Sequence, residues 1–291
     1  MNARLEERTT ARAPDAVLGS EVAPVGTFTV RRALPARDRH AIGPWVFLDH
    51  FGPMRVTPGA DGVGPHPHAG IETVTYLFSG RNEHRDSAGH TGIVSAGGAQ
   101  WMTSGRGVVH AERPLAESEA ERTMHGIQLW TSLPRALKGM APRYQRIDAA
   151  AIPRVELGGS RVAVVAGHWG GEQGPAEVLM PIFLLHASIA PGASFELEPR
   201  EGEEVGVYVV QGSAQASGTA IAAGELAAWD AGIGTIRIAN AGEDTLEAMV
   251  LGGAPAEGPL VFHGPFVMNS VEQVRAAEIA YRTGRMGDLE E

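Results

Sequence analysis

The hydrophobic and polar positions of this chain alternate in short runs, and glycine-rich turns separate the runs. In the first half, between Val25 and about Trp130, the runs include GTFTVRRAL, ETVTYLF, TGIVSA and HGIQLW. In the second half, RVAVVAG, IFLLHASI, ASFELE, VGVYVVQG and TLEAMVLGG repeat the pattern. Period-two alternation of β-branched and aromatic residues between regular turn signals is typical of sandwiches and barrels. The pattern therefore predicts an all-β protein.

Two segments depart from this alternation and indicate the domain organisation. Residues Ser132 to Ser160 are rich in Pro, Arg and Ala and lack period-two alternation, which favours a linker. Near the C-terminus, SVEQVRAAEIAYR has a helical pattern, with Ser270 as N-cap and Gln273 at the third position of a capping box. We expect a lead segment over 1–24, an N-terminal domain over 25–131, a linker over 132–160, and a C-terminal domain over 161–291 that ends in the helix.

The two halves also align with each other in two gapless blocks. HPHAGIETVTYLFSG, residues 66–80, falls on EPREGEEVGVYVVQG, residues 198–212, and this block matches Tyr76 with Tyr208. AGGAQWMTSGRGVVHAE, residues 96–112, falls on AGELAAWDAGIGTIRIA, residues 223–239. Two blocks in the same order favour an internal duplication over a chance match.

Composition narrows the classes of function. The 38 glycines and 19 prolines among 291 residues agree with many turns, and the formal net charge of -10 has the wrong sign for binding to a phosphate backbone. The first sixteen residues, MNARLEERTTARAPDA, lack the apolar core of a signal peptide, and no apolar run approaches the ~20 residues of a spanning helix. We expect a cytoplasmic protein without direct contact to nucleic acid or membrane. With no cysteine, any metal must be bound through nitrogen and oxygen.

Two residue pairs in the first half have the spacing of metal ligands. His66 and His68, and likewise His110 and Glu112, stand two positions apart, so each pair shares a face of an extended strand. Three imidazoles and a carboxylate suit Fe, Mn, Ni, Cu or Zn, whereas Ca and Mg prefer oxygen ligands. In the gapless alignment the four positions are occupied in the second half by Glu198, Arg200, Arg237 and Ala239. The joint loss of all four indicates one functional unit that is present in the first half alone.

The identity of the carboxylate stays open at this level. Glu72 has the same parity as His66 and His68, while Glu112 follows His110 by two residues. Parity does not distinguish Glu72 from Glu112, because both satisfy the period-two rule.

The chain resembles the pirin family in the strings HPHAGIETVTYLFSG, EHRDSAGHTG, QWMTSGRGVVHAE, GIQLW and HGPFVMN. This resemblance implies a bicupin, two jelly-roll β-barrels face to face, with Fe(II) in the N-terminal barrel and no metal in the C-terminal one. It implies His66, His68, His110 and Glu112 as the iron ligands, and a supporting role for Glu72. It also implies quercetin 2,3-dioxygenase activity on a flavonol and O₂, with Glu112 as both ligand and catalytic base.

The same resemblance implies a second class of function, an iron-dependent redox sensor that binds a protein partner, either a transcription factor or a metabolic enzyme. In that case Gly97–Val109, which carries Arg106, is expected to be an exposed loop near the metal, whereas its modest charge favours an ordinary glycine-rich turn. The two hypotheses differ in whether O₂ is consumed with the flavonol.

Other residues have weaker assignments. His84 and His90, in EHRDSAGHTG, are expected to be turn histidines that bond local backbone groups, with a ligand role or a supporting role beside the metal as alternatives. His263, in HGPFVMN, is expected to lie in a structural strap between the domains. Candidate apolar walls for a flat substrate are Phe47, Phe51, Trp101 and Met102.

Overall fold

The computed structural model describes residues 11–26, 28–116, 118 and 122–289. The expected all-β architecture is confirmed, and the helix forms as α1, Val271–Arg282. The hydroxyl of Ser270 accepts from the backbone N–H of Gln273, as the capping signal predicts. The Gln273 side chain reaches one residue further back and accepts from the N–H of Asn269. No helix within these described ranges is long and apolar enough to cross a bilayer.

The first half of the chain forms one large and one small antiparallel sheet. The large sheet has seven strands in the order β12-β9-β6-β11-β4-β3-β2, and the small sheet has four in the order β5-β10-β7-β8. The strands are β1 Ala16–Gly19, β2 Glu21–Val25, β3 Phe28–Leu34, β4 Trp45–Arg55, β5 Val63–His68, β6 Ile71–Ser79, β7 Arg81–Asp86, β8 Thr91–Ser95, β9 Ala99–Thr103, β10 Val108–Leu115, β11 Thr123–Ser132 and β12 Arg143–Ile147.

The second half repeats this arrangement strand for strand. Its large sheet has the order β1-β22-β19-β24-β17-β14-β13, and its small sheet has the order β18-β23-β20-β21. The strands are β13 Arg154–Leu157, β14 Ser160–Ala166, β15 His168–Trp169, β16 Glu172–Gln173, β17 Ile182–Ile189, β18 Ser194–Leu197, β19 Glu204–Gln211, β20 Ser213–Ala216, β21 Thr219–Ala222, β22 Glu225–Trp229, β23 Ile236–Asn240, β24 Leu246–Gly253, β25 Val261–His263 and β26 Phe266–Met268. Each strand in the two sheets of the first half thus has a counterpart in those of the second half, where β1 takes part, and this supports the duplication. Strands β15 and β16, and likewise β25 and β26, form separate two-stranded sheets.

The edge strands of the two large sheets come from segments that the sequence pattern did not assign to either domain. Strand β1, from the predicted lead segment, pairs with β22 of the second half. The predicted linker contributes β12, which pairs with β9, and β13, which pairs with β14. Both segments therefore complete a sheet, because added edge strands satisfy backbone groups that would otherwise stay unpaired. The division of the chain at residues 24, 131 and 160 stays a prediction.

The interiors of the two halves differ. Apolar side chains such as Val205, Val207 and Trp229 fill the second half. The strand pairing shows which residues of the two small sheets are equivalent. Pro114 lies opposite Asn82 in the first half, and Asn240 lies opposite Ala214 in the second.

Asn82 and Ala214 both stand two residues past the glycine that ends the first aligned block, so His110 corresponds to Ile236 and Glu112 to Ile238. The gapless alignment, which gave Arg237 and Ala239, is wrong by one residue. Met102 and Trp229 are equivalent, because they pair with the aligned residues Thr73 and Val205. Met102 precedes His110 by eight positions, but Trp229 precedes Ile236 by seven. In the second half, the buried side chains of Ile236 and Ile238 thus occupy the positions of His110 and Glu112.

Candidate metal centre and its cavity

Three histidines from two neighbouring strands converge in the first half. Strands β5 and β10 pair antiparallel, and His66 lies directly opposite His110. His68 stands two residues further along β5, on the same face. One ring nitrogen from each of the three histidines lies within 4.8 Å of the others. The geometry predicted from the two pairs of residues is therefore present for all three imidazoles.

Hydrogen bonds fix two of the rings through their outer nitrogens. His66 Nδ1 donates to the carbonyl oxygen of Gly64 at 2.8 Å, and His68 Nδ1 donates to that of Pro265 at 3.1 Å. In both rings Nε2 is then the unprotonated nitrogen, the form that binds a metal. Within the described part of the chain, both ring nitrogens of buried His110 lack a hydrogen-bond partner. A buried, unpartnered imidazole beside two oriented ones fits a metal ion, because a ligand bond satisfies the otherwise unmet nitrogen.

Burial keeps the imidazoles of His68 and His110 neutral. It lowers the pKa of His68 to about 3, with a further contribution from His66, and it lowers the pKa of His110 well below its ordinary value. Neutral imidazole is the form that donates a lone pair to a metal, so these ligands need not lose a proton at neutral pH.

Glu112 lies beside this group and is held by four neutral donors. Its Oε1 accepts from Thr75 Oγ1 and Asn82 Nδ2, both at 3.1 Å, and from Gln100 Nε2, while its Oε2 accepts from Gln128 Nε2 at 2.7 Å. The strand register shifts between His110 and Glu112. In the described residues, the set of ligand atoms within 4.8 Å of one another comprises the three histidines without Glu112. The role of Glu112 as fourth ligand stays a prediction.

Glu72 points away from the cavity that Glu112 lines. It shares strand β6 with Thr75 but differs in parity, so the two side chains project from opposite faces of the sheet. Its carboxylate accepts from Thr103 Oγ1 at 2.7 Å and from Thr131 Oγ1 at 3.4 Å. Glu72 does not share the face of His66 and His68, although an even number of residues separates them, because Gly70, at φ 80°, interrupts the extended chain.

The centre opens onto a cavity of about 640 Å³, lined by His66, His68, Glu112 and Gln128 together with largely apolar walls. Phe47 stacks on Trp130 with ring centroids 4.0 Å apart, and the edge of His68 meets Trp130 at 4.8 Å.

Of the four aromatic and sulfur-containing side chains expected in the walls, Phe47 and Phe51 line this cavity. Trp101 and Met102 do not. Both are almost fully buried, and Trp101 belongs to the apolar core that both halves share.

The polar side of the cavity contains an ion pair. Arg32 donates two hydrogen bonds to the carboxylate of Asp49, at 2.8 and 2.7 Å, and its guanidinium lies 4.6 Å from the centre of the Phe47 ring. Burial raises the pKa of Asp49, and the bonds from Arg32 oppose that shift. The pair places a fixed polar group in a predominantly apolar wall.

The segment HGPFVMN closes the cavity at the metal end. Strands β25 and β26 form a hairpin, and Phe266 bridges to Ala69 beside His68. Phe262, Gly264 and Pro265 line the cavity, and the Pro265 carbonyl orients His68. The segment, which we call the strap, packs against the first half at Ala69 and shapes the centre. Its expected position between the domains stays a prediction. The His263 side chain is exposed.

Two further expectations are wrong. His84 lies in strand β7, almost fully buried, where it stacks on Tyr144 at 4.4 Å and contacts Asp86 through Nε2 at 3.1 Å. Its ring centroid is 5.4 Å from that of His110, so it supports the centre instead of capping a turn.

The segment Gly97–Val109 is not an exposed loop. It consists of the end of one turn, strand β9, a second tight turn and the first two residues of β10, and from Gly98 onward Arg106 is its one exposed residue. The backbone N–H of Arg106 donates to the Met140 carbonyl, which ties this turn to the body of the protein.

The four residues that hold Glu112 were not identified from the sequence as its partners. Thr75, Asn82 and Gln100 are buried polar residues inside strands. Their positions on the inward face offered a signal, because polar side chains in a strand interior need partners there.

Comparison with known proteins agrees with this fold. Residues 27–131 match the family model described as Pirin, and residues 184–287 match the Pirin C-terminal cupin domain. A pirin-like protein of Caulobacter vibrioides is 33% identical over 277 residues, which cover 94% of each chain. A Pseudomonas aeruginosa protein, provisionally named a quercetin 2,3-dioxygenase, is 34% identical over 252 residues, covering 84% of this chain and 86% of its own.

A solved structure shows the same architecture over nearly the whole chain. The quercetin 2,3-dioxygenase of Acinetobacter baumannii superposes with a TM-score of 0.87 at 29% identity, covering 97% of this chain and 100% of its own. The expected bicupin fold is thereby confirmed.

Proposed function

The chain belongs to the pirin family, and from that premise we propose that it is a mononuclear iron protein that acts as a quercetin 2,3-dioxygenase-type oxidoreductase. The observation that carries the proposal is a cluster of three imidazoles, one of which has both nitrogens unpartnered, beside a large cavity with mostly apolar walls. Relatives named for quercetin dioxygenase activity support the reaction class.

His66, His68 and His110 would hold the metal, with Glu112 as the fourth ligand. We propose Fe(II), although the donor set also suits Mn, Ni, Cu or Zn. When bound, iron supplies the redox chemistry that O₂ needs in order to react with an aromatic substrate. The protein provides imidazole ligands, two of them oriented by the carbonyls of Gly64 and Pro265, and largely apolar cavity walls.

The cavity suits a flat aromatic substrate such as a flavonol. Its volume of about 640 Å³ lies within the usual range for small-molecule sites, and the stacked rings of Phe47 and Trp130 provide an apolar surface. The Arg32–Asp49 pair would orient polar groups of the substrate that lie distant from the metal. Dioxygen is the second substrate.

Glu112 would act as the base for the substrate hydroxyl. Its Oε1 accepts from three donors, whereas its Oε2 has the single donor Gln128, so Oε2 is the atom that would take up the proton. The four donors hold the carboxylate in one orientation, and proton transfer to a base placed in this way typically contributes a factor of 10²–10⁴ to the rate.

The test is anaerobic reconstitution with Fe(II), followed by O₂ uptake with and without quercetin. We expect one O₂ consumed per quercetin cleaved. His110→Ala should remove both metal and turnover, because a buried ligand is lost, whereas His263→Ala should retain both, because that side chain is exposed. A His110→Ala protein that still binds stoichiometric iron and turns over quercetin would refute the assignment.

The alternative function, a redox sensor that binds a protein partner, has less support. The surface on which it depended, Gly97–Val109, is buried apart from the exposed Arg106 and the half-buried Gly97. The alternative would require partner affinity that differs between the Fe(II) and Fe(III) forms without consumption of O₂.

A further inference from the structure

A second cavity of about 290 Å³ lies between the two halves of the chain. None of its lining residues borders the cavity at the metal centre. Tyr76 lines it from strand β6, whereas the neighbouring Thr75 faces the metal side, so the large sheet of the first half separates the two cavities.

Two hydrogen-bonded chains cross the contact between the halves. In one, Tyr208 Oη meets His50 Nδ1 at 3.0 Å, and His50 Nε2 meets His125 Nε2 at 2.7 Å. One of these two Nε2 atoms must carry the proton and the other must accept it, so this His50–His125 contact requires at least one neutral ring.

The second chain is the duplicated counterpart of the first. Tyr76 Oη meets His186 Nδ1 at 3.0 Å, and His186 Nε2 meets Glu247 Oε2 at 2.8 Å. The registers are equivalent, since Tyr76 and His50 both face Ile127, while Tyr208 and His186 both face Met249. His125 and Glu247 each stand two residues before that central position.

These two chains end at the same cavity, which His125 and Glu247 both line. The rings of His125 and His186 lie on the same aromatic side chain, Phe78, with centroids 4.8 and 5.0 Å from its own. Buried tyrosines anchor both chains, so the polar groups at the cavity are held in place before any ligand enters.

The lining carries more positive than negative charge. Arg154 and Arg161 oppose the single carboxylate of Glu247, on a chain whose formal net charge is -10. Glu247 already accepts hydrogen bonds from His186 and from Ser188 Oγ at 2.6 Å, and its pKa is lowered mainly by the bond from His186 against the opposing effect of burial.

The two guanidinium groups are only weakly engaged elsewhere. The Arg161 guanidinium is 4.0 Å from Glu156 in a largely exposed pair, and Arg154 donates to the carbonyl of Ala149 at 3.0 Å. Arginine presents planar N–H pairs that match a carboxylate. We infer that this cavity binds a small organic carboxylate, with Arg154 and Arg161 facing its charge and His125 contacting it from the other half.

A ligand bound there would bridge the two halves, because both arginines come from the second half and His125 comes from the first. The small volume favours a compact acid over an aromatic one. The site is independent of the proposed oxygenase function, since it shares no lining residue with the metal cavity.

The test is a calorimetric titration of the full chain with succinate, with succinamide as the neutral isostere. The titration is repeated in the His110→Ala chain, so that a carboxylate bound at the metal centre is not counted. We expect saturable succinate binding in both chains and at least a tenfold loss of affinity in Arg161→Ala and in Arg154→Ala. Arg146→Ala removes an exposed arginine that pairs with Asp148 and does not line the cavity, and it should bind like the parent chain.

Three results would overturn the inference: no binding at about 10 mM succinate, a concentration that detects a millimolar site; equal binding of succinamide; or an equal loss of affinity in Arg146→Ala. If Arg154→Ala does not fold, the exposed Arg161 variant decides the outcome alone.

Discussion

Glu112→Gln tests the proposed chemistry most directly, because it keeps the side-chain volume and removes the charge. The new amide can still accept from Thr75, Asn82 and Gln100 through its oxygen. Its NH₂ group would then face the NH₂ of Gln128, so the 2.7 Å bond is lost. Hydrogen bonds to charged groups contribute about 1.5–3 kcal/mol, so we expect the free energy of unfolding to fall by about 2 kcal/mol.

The effect on turnover should be much larger than the effect on stability. An amide cannot take up the substrate proton, and loss of a general base costs roughly 10²–10⁴-fold in rate. The three imidazoles remain, so the variant should still bind iron, with lower affinity. Metal content, urea unfolding and quercetin-dependent O₂ uptake measure these three quantities on the same preparation.

Glu72→Gln is the matched control, since Glu72 is also a buried carboxylate but does not line the metal cavity. It should lower stability by a similar amount through its bonds to Thr103 and Thr131, and leave iron binding and turnover within a few-fold. If Glu72→Gln abolished turnover while Glu112→Gln retained it, the assigned roles of the two carboxylates would be wrong.

Two further predictions concern the framework. Buried Lys138 donates to the carbonyls of Gly70 and Val267, both at 2.8 Å. Lys138→Met should therefore lower the free energy of unfolding by about 1–3 kcal/mol per unmet carbonyl, and it should weaken iron retention because the strap loosens. Unchanged urea unfolding would contradict this. Burial lowers the pKa of His50 to about 4 from 6.5, so its contribution to stability is complete above pH 6.5 and lost as pH falls toward 4. This loss reaches about 1.4 kcal/mol per pH unit, and His50→Gln should reduce the slope of unfolding free energy against pH; an unchanged slope would refute the assignment.

Much of the fold could be predicted because its signals are local. Period-two alternation predicts strands, Ser270 predicts the start of the helix, and the pairs at His66 and His110 predict a shared face. Each of these depends on residues a few positions apart, where backbone geometry alone sets direction.

The hydrogen-bond partners of the site residues could not be predicted, because contacts between distant segments of the chain determine them. Nothing near Glu112 in sequence indicates that Asn82 and Gln128 donate to its carboxylate, because three different strands bring them together. The role of the strap is similar, since Pro265 orients a histidine that lies 197 residues away. The pairing of His186 with Tyr76 had a sequence signal, since FLLH in the second half matches FLDH in the first.

The amino-acid sequence by itself determined the class of fold, its duplication and the three imidazoles of the centre, since side-chain direction along a strand follows from the backbone. The tertiary structure alone decided which carboxylate borders the cavity, which strands complete each sheet, and how the two halves meet. Those outcomes depend on strand register and on a one-residue difference in spacing between the two halves, and both act across long stretches of chain.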